Sequence, residues 1–200
     1  TIGPIGMSAI KAAKKLKKPS VAFIHSVEWE LATKSIDKLK LIINMGMKML
    51  IKHYYNKVSL LLVPSLEVGE LYRKNGVSTQ YKVVHLGTDV NKFVPVENKA
   101  DAKKALNIDP NFTVIGFSGR IGREKNLITL YRAFRRIEKK YENLKLLIIG
   151  KGIKSLEQEF SSQRNIIMPG SVNGVVSYLQ AMDIFVLPSL TETSSLATME

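Results

Sequence analysis

Apolar positions along this chain follow two rhythms, and the switching between them sets the expected architecture. Short apolar runs stopped by Pro, Gly or His read as strands buried on both faces: 21–24, 58–63, 82–85, 113–118, 144–149, 165–168 and 183–187. Between them, apolar residues recur at three- and four-residue steps, the spacing of amphipathic helices: 8–18 (ended by Pro19), 34–56, 66–75 (ended by Gly76), 126–140, 153–162 and 174–181. Strict alternation of strand and helix with short loops predicts an α/β fold built on parallel, doubly wound sheets. Residues 94–110 break the rhythm and turn polar. The expected organisation is therefore two Rossmann-like halves, 1–94 and 111–200, joined by a linker over 95–110 that holds a short helix. Both halves read as incomplete: the first lacks an opening strand and Gly-rich loop, and the second stops inside a helix at Glu200.

Helix 34–56 is apolar on more than one side. Ile36, Leu39, Ile43, Met47, Leu50 and Tyr54 form one stripe at helical spacing, the expected core face. Lys34, Lys38, Lys48 and Lys52 share a sector of about 80° on the far side, with Leu41, Ile42, Met45 and Met49 among or beside them. Two readings follow: a helix lying at a membrane interface, or a helix packed on both sides with solvated lysines. His25 closes the strand 21–24 at its carboxyl end, where ligands gather in open α/β sheets. Glu28 and Glu30 read as surface or acceptor-side groups, and His53 and His85 as structural.

Composition narrows the chemistry. The absence of cysteine excludes disulfides, thiolate metal sites and cysteine nucleophiles. No apolar run reaches the roughly 20 residues of a membrane span, and no signal peptide opens the chain, so a cytoplasmic protein is expected. The net charge is +13, and it is uneven: residues 1–57 hold eleven lysines against three acidic residues, a surplus of eight. Such an end suits an anionic membrane surface or simple solubility. Nucleic acid is not expected, because no recognition motif or aromatic enrichment accompanies the lysines. No Asp-x-Asp occurs, and no metal site is predicted.

Two stretches carry candidate chemistry. In 183–200 a strand stopped by Pro188-Ser189 feeds a polar turn and then a helix start, with Ser194 or Ser195 suited to the N-cap. Free amides and a partial positive charge at such a start favour an anion. Glu192 and Glu200 stand eight residues apart, which on a helix is about 12 Å of rise and a turn of about 80°. Upstream, Gly116-Phe-Ser-Gly-Arg-Ile-Gly-Arg-Glu-Lys-Asn126 places Arg120, a planar fork of donors, five residues before Lys125, a compact point charge. Arg123 reads as solvent-facing, and Gly150-Lys-Gly152 as a structural strand-to-helix turn.

Pro-Ser-x-x-Glu with a second Glu after seven residues, together with Gly-Arg-x-x-x-Glu-Lys-Asn, resembles the retaining GT-B-fold glycosyltransferases of the family 4-like, group 1 type. Sucrose and glycogen synthase relatives belong to that family. Leu86-Gly-Thr-Asp89 with Phe93 is similar to the end of its amino-terminal half. The resemblance implies metal-independent transfer of a hexose from a UDP- or GDP-sugar to a hydroxyl acceptor, lipid or glycan, without a cofactor. It implies that Arg120, Lys125 and the amides around Thr193, Ser194, Ser195 and Leu196 hold the diphosphate. Glu200 would hold the ribose, Glu192 the sugar, and His25 would approach the sugar from the other half. Ser195 departs from the pattern, standing where the family often has Gly. The rival expectation is a nucleotide- or carbohydrate-binding module without turnover. The implied location is cytoplasmic, at the inner face of the membrane if the acceptor is a lipid.

Overall fold

Strands form where the apolar runs predict them, and helices fill the amphipathic intervals. The computed structural model describes residues 2–35 and 39–200. It divides into two units, Thr1–Gly87 with Thr191–Ser195, and Thr88–Leu190 with Leu196–Glu200.

The first unit runs α1 (Pro4–Lys15), β1 (Val21–Phe23), α2 (Glu28–Ser35), α3 (Lys40–Tyr55), β2 (Leu60–Val63), α4 (Leu66–Lys74) and β3 (Tyr81–Val83). Its strands pair in parallel in the order β1-β2-β3. Helix α1 begins at Pro4 rather than Ser8, because proline at the first position sets a helical φ and forfeits no bonded N–H. Ser65 caps α4 by accepting from the Val68 amide (3.4 Å). Ile24, Ile51, Tyr55, Leu61, Val63 and Tyr72 form the buried centre of the unit.

Two expectations fail here. A continuous helix over 34–56 is broken: α2 ends at Ser35, α3 starts at Lys40, and Leu39 takes a left-handed φ of 57°. Leu39 is exposed instead of buried, since that conformation turns it off the stripe. Ile36 and Lys38, assigned to the same helix, lie outside the described residues. Nor is Glu28 a surface acid. It is buried on α2, accepting from the Tyr55 hydroxyl at 2.5 Å and from the Tyr72 hydroxyl. Burial and then the adjacent carboxylate push both phenols above their ordinary range.

The second unit runs α5 (Lys99–Ala105), β4 (Thr113–Ser118), α6 (Leu127–Ile137), β5 (Leu144–Ile149), α7 (Lys154–Ser161), β6 (Ile166–Gly170), α8 (Val176–Ala181), β7 (Ile184–Phe185) and α9 (Leu196–Met199), with one 3₁₀ turn at Arg123–Lys125. Its parallel sheet has the order β6-β5-β4-β7. The chain winds outward from β4 to β6 and then returns through α8 to place β7 on the other side of β4. That reversal makes the carboxyl end of β4 a topological switch point, where ligands of open α/β sheets bind. Alternate residues of β5 serve opposite faces: Leu146 and Ile148 pack with Phe117, Leu130, Phe134 and Phe160, while Leu147 and Ile149 pack with Val114 and Met182. Each such side chain contributes about 1.5–3 kcal/mol by burial.

Strand β7 is shorter than the apolar run 183–187, and Asp183 explains its start. The Asp183 carboxylate accepts from the Val114 amide (2.8 Å) and the Lys103 ammonium (2.7 Å), and Lys103 also donates to the Phe112 carbonyl (2.8 Å). Lys103, on α5, is itself buried, so one ion pair ties α5 to β4 and the head of β7. Burial acts to raise the Asp183 pKa, but the bonds from Lys103 and Val114 and the charges of Lys103 and Lys99 outweigh it, leaving it below its ordinary 3.8. A carboxylate with a depressed folded pKa stabilises above its unfolded value, and that contribution fades as pH falls through the folded one. Asp183→Ala is therefore expected to cost about 1–3 kcal/mol at neutral pH. In urea unfolding at a series of pH values, the gap from wild type should close as pH drops below 3.8. A gap that stays constant into acid would remove Asp183 as the linked group.

Candidate functional site

At the switch point the backbone is held by contacts between loops. The loop leaving β4 lies against the turn leaving β5: Gly119 N–H donates to the Ile149 carbonyl (3.0 Å), Ile121 N–H to Lys151 (3.0 Å), and Ile153 N–H back to Ile121 (2.9 Å). The approach is close enough to exclude side chains. A Cβ on Gly150, whose φ is +131°, would stand within 3.0 Å of the Gly119 carbonyl, and one on Gly152 equally close to the Ile121 carbonyl. The Gly-Lys-Gly turn is thus the seat of the Arg120 loop, a role beyond the generic turn its sequence predicts. Gly150 N–H donates in turn to Gly170 at the end of β6 (2.8 Å), so three strand ends are tied together.

Arg120 leaves this seat pointing to solvent. Its Nη2 pairs with Glu124 Oε1 at 2.6 Å, the guanidinium side chain being 66% exposed and the carboxylate 8%. Glu124 sits beneath the loop against Gly122, where a Cβ would strike its carboxylate. The 3₁₀ turn that carries Glu124 also carries Lys125, and Asn126 closes it with a left-handed φ of 54° before α6 begins. Two bonds join this turn to the segment after β7: Leu190 N–H donates to the Glu124 carbonyl (2.8 Å) and Asn126 Nδ2 to the Pro188 carbonyl (3.3 Å). Arg120 and Lys125 are therefore fixed on one loop above the sheet, as their spacing predicts.

A cavity of about 370 Å³ opens beside Arg120, lined by Ser118, Gly119, Ile149, Gly150, Lys151, Ser171, Val172 and Val175 among others. Its walls are the three tied loops after β4, β5 and β6. Glycine backbone, one arginine, one lysine and apolar Ile149, Val172 and Val175 suit a flat, partly apolar group attached to an anion. Lys151 and the segment from Ser171 to Val175 were not singled out by the sequence. The only signal was the Gly-Lys-Gly turn, whose spacing alone is weak.

The remaining predicted residues are placed elsewhere. Glu200, at the end of the four-residue α9, lines a second cavity of about 280 Å³ with Phe93, Val94, Pro95, Val96, Lys99, Leu179 and Gln180. Thr191–Ser195, including Glu192, Ser194 and Ser195, groups with the first unit, whereas Leu196 groups with the second. Within the first unit the Thr193 hydroxyl donates to the His25 carbonyl (2.8 Å), and His25 is exposed with its ring stacked on Phe23 at 4.6 Å. The Thr191 hydroxyl donates to Glu30 (2.7 Å), which also pairs with Lys34 (3.0 Å). Burial acts to raise the Glu30 pKa, but these two partners overcome it and hold the carboxyl below its ordinary range. Buried Ser189 Oγ finds no hydrogen-bond partner among the described residues.

The glycine seat is directly testable. Gly150→Ala and Gly152→Ala should each lose about 1–3 kcal/mol of stability through backbone strain and overpacking. Gly87→Ala, at a position with open space around it, serves as the control and should stay within about 0.5 kcal/mol of wild type. Equal denaturant midpoints for all three variants would mean the loops are not in contact.

Comparison with known proteins bears on the family and the fold. The chain is 27% identical over 208 residues to alpha-monoglucosyldiacylglycerol synthase of Streptococcus pneumoniae (strain ATCC BAA-255 / R6), covering 98% of this chain and 47% of that protein. Among solved structures it is similar to sucrose-phosphate synthase from Thermosynechococcus elongatus, with a TM-score of 0.77 at 21% identity over 96% of this chain and 49% of that one. HepE from Anabaena, solved in complex with UDP and glucose, gives a TM-score of 0.67 at 16% identity, covering 90% of this chain and 49% of the other. At these identities the likeness is one of fold, an α/β fold with parallel sheets of the GT-B glycosyltransferase type. The chain spans about half the length of these relatives. The family model described as glycosyl transferases group 1 matches residues 98–200, more than half of the chain, which therefore belongs to that family.

Proposed function

We propose that this chain is part of a retaining glycosyltransferase of hexosyltransferase type that moves a sugar from a UDP- or GDP-sugar to a hydroxyl on a lipid or glycan. The observation that carries the reading is the Arg120–Lys125 loop above the switch point, with Arg120 held by Glu124 beside a cavity of about 370 Å³. As the bond between the sugar and the diphosphate breaks, negative charge builds on the leaving oxygen. Donors fixed before the reaction stabilise that charge with little reorganisation. Arg120 supplies a forked, permanently charged donor and Lys125 a point charge, so metal-independent transfer is the proposed mode. No cofactor is assigned.

The other roles rest on the family resemblance, residue by residue. Amides from Thr193 to Leu196 complete the diphosphate site, Glu200 takes the ribose hydroxyls, Glu192 the sugar hydroxyls, and His25 the sugar. The acceptor hydroxyl attacks on the face the diphosphate leaves, and its proton passes to the departing phosphate oxygen, which retains the configuration. The acceptor is the freer choice. The relative named alpha-monoglucosyldiacylglycerol synthase favours a lipid, which would put the enzyme on the cytoplasmic face of a membrane and make an anionic membrane surface a partner.

Calorimetric titration with UDP, GDP and the parent nucleosides tests the site. Arg120→Ala and Lys125→Ala should each weaken diphosphate binding by about 1.5–3 kcal/mol, roughly 10- to 150-fold, while nucleoside binding changes less than about threefold. Equal losses for nucleoside and diphosphate would take both residues out of the phosphate site. No measurable binding of either by wild type would overturn the donor assignment. Saturable binding by a complete enzyme that transfers no sugar would favour the binding-module reading. Turnover of the complete enzyme should survive excess EDTA, and a loss restored by manganese or magnesium would refute metal independence.

A further inference from the structure

Helix α3 has its sides arranged contrary to an ordinary surface helix. Ile51, Tyr54 and Tyr55 face the core, and the opposite side, which should be polar, carries Leu41 (75% exposed), Ile42 (66%), Met45 (58%) and Met49 (71%). At 100° per residue these four fall within a sector of about 100°. The break at Leu39 fixes this orientation, since α3 starts afresh at Lys40 and seats its tyrosines inward. Four large apolar side chains sharing one outward face form a contiguous patch, and such patches mark interaction sites.

The border of the patch is basic. Lys52 and His53 lie beside the apolar residues, Lys40 stands exposed at the helix start, and Lys48 reaches over the Trp29 ring (5.7 Å). Helix α1 adjoins the far end, its Lys11 ammonium 5.8 Å from the Tyr54 ring, and it adds exposed Lys14 and Lys15, followed by Lys17 and Lys18. No acidic residue occurs in 1–27 or in 38–66. Of the nearby acids that are described, Glu28 is buried between two tyrosines and Glu30 is bonded to Lys34 and Thr191.

An apolar stripe rimmed by ammonium groups on flexible stems matches a surface that is negative outside and apolar beneath. A second copy of the chain fits poorly, because a two-fold interface would set the lysine rim against itself. Nucleic acid fits poorly as well, since the outward centre of the patch is apolar. We propose that the α3 face docks on an anionic bilayer. Leu41, Ile42, Met45 and Met49 enter the boundary between headgroups and acyl chains, while Lys40, Lys52 and the α1 lysines meet headgroup phosphates. This surface stands independently of the transfer reaction, and its test reads no turnover.

The chain is sedimented with phosphatidylcholine vesicles and with vesicles containing roughly one-third phosphatidylglycerol, at low and high salt. Wild type should pellet with the anionic vesicles at low salt and be released by high salt. Lys14→Gln/Lys15→Gln/Lys52→Gln should lose about fivefold in partition coefficient per lysine, the equivalent of roughly 1 kcal/mol each. Met45→Glu/Met49→Glu should stay in the supernatant, with far-ultraviolet circular dichroism unchanged because both positions are exposed. The salt and lipid comparison on the unaltered chain decides the matter even if a variant misfolds. Wild type that stays in solution with anionic vesicles, or folded variants that pellet like wild type, would overturn the proposal. So would a wild-type dimer in sedimentation velocity that Met45→Glu/Met49→Glu abolishes without any vesicle binding, which would assign the face to a second copy. UDP titration in parallel keeps this outcome separate from that of the donor site.

Discussion

The candidate site depends on one steric constraint: the backbone after β4 and the backbone after β5 approach so closely that neither Gly150 nor Gly152 has room for a Cβ. Parallel strands end side by side with their last carbonyl and amide groups unpaired. Here those groups are satisfied by loop-to-loop bonds from Gly119 to Ile149, Ile121 to Lys151 and Gly150 to Gly170. Each bond satisfies a backbone group that would otherwise be costly to bury. Together they turn three loops into a rigid rim, so the nearby cavity is shaped by main chain.

Placing a permanent cation on that rim creates an electrostatic problem that Glu124 resolves. A guanidinium with no partner would be free to fold back or swing into solvent, losing its direction. The nearly buried Glu124 holds one edge of Arg120 at 2.6 Å while 66% of the arginine side chain remains open. The guanidinium has five donors, so pairing with one carboxylate oxygen leaves others for further acceptors. The same 3₁₀ turn aligns Glu124 and Lys125, and the left-handed Asn126 ends it so that α6 can start with Leu127 buried. The Asn126 side chain then donates to the Pro188 carbonyl (3.3 Å), linking the cationic loop to the Pro-Ser turn. Preorganisation of this kind is what the proposed phosphate role of the loop would require.

The sheet of the second unit was legible because its strands are apolar on both faces, a pattern with few other outcomes at that length. Strand 144–149 emerges with the predicted bounds. Arg120 and Lys125 were marked by the resemblance of their loop to Gly-Arg-x-x-x-Glu-Lys-Asn, and the structure places both in the segment that follows β4. What the sequence hid was contact made across long separations. Glu28 looks like an exposed acid until α2 brings it between Tyr55 and Tyr72, 27 and 44 residues away. Lys151 looks like a turn lysine until Gly150 and Gly152 seat the loop above it. Strand β7 is shortened at its head because Asp183 bonds Lys103 of a different helix, a pairing that no local pattern announces.

Helix α3 shows the limit of periodicity most plainly. Its sequence is apolar around most of its circumference, so a three- and four-residue repeat can be drawn through either side. The stripe through Leu39 and the stripe through Leu41, Met45 and Met49 satisfy the same rule. What selects between them is volume and hydrogen bonding. Tyr54 and Tyr55 are the bulkiest residues of the helix, and the Tyr55 hydroxyl donates to Glu28, which is buried at the start of α2. Seating those rings inward rotates the helix and leaves the leucine and methionines outward. The exposed apolar face is therefore a consequence of seating the two tyrosines inward, where Tyr55 meets the buried carboxylate of Glu28.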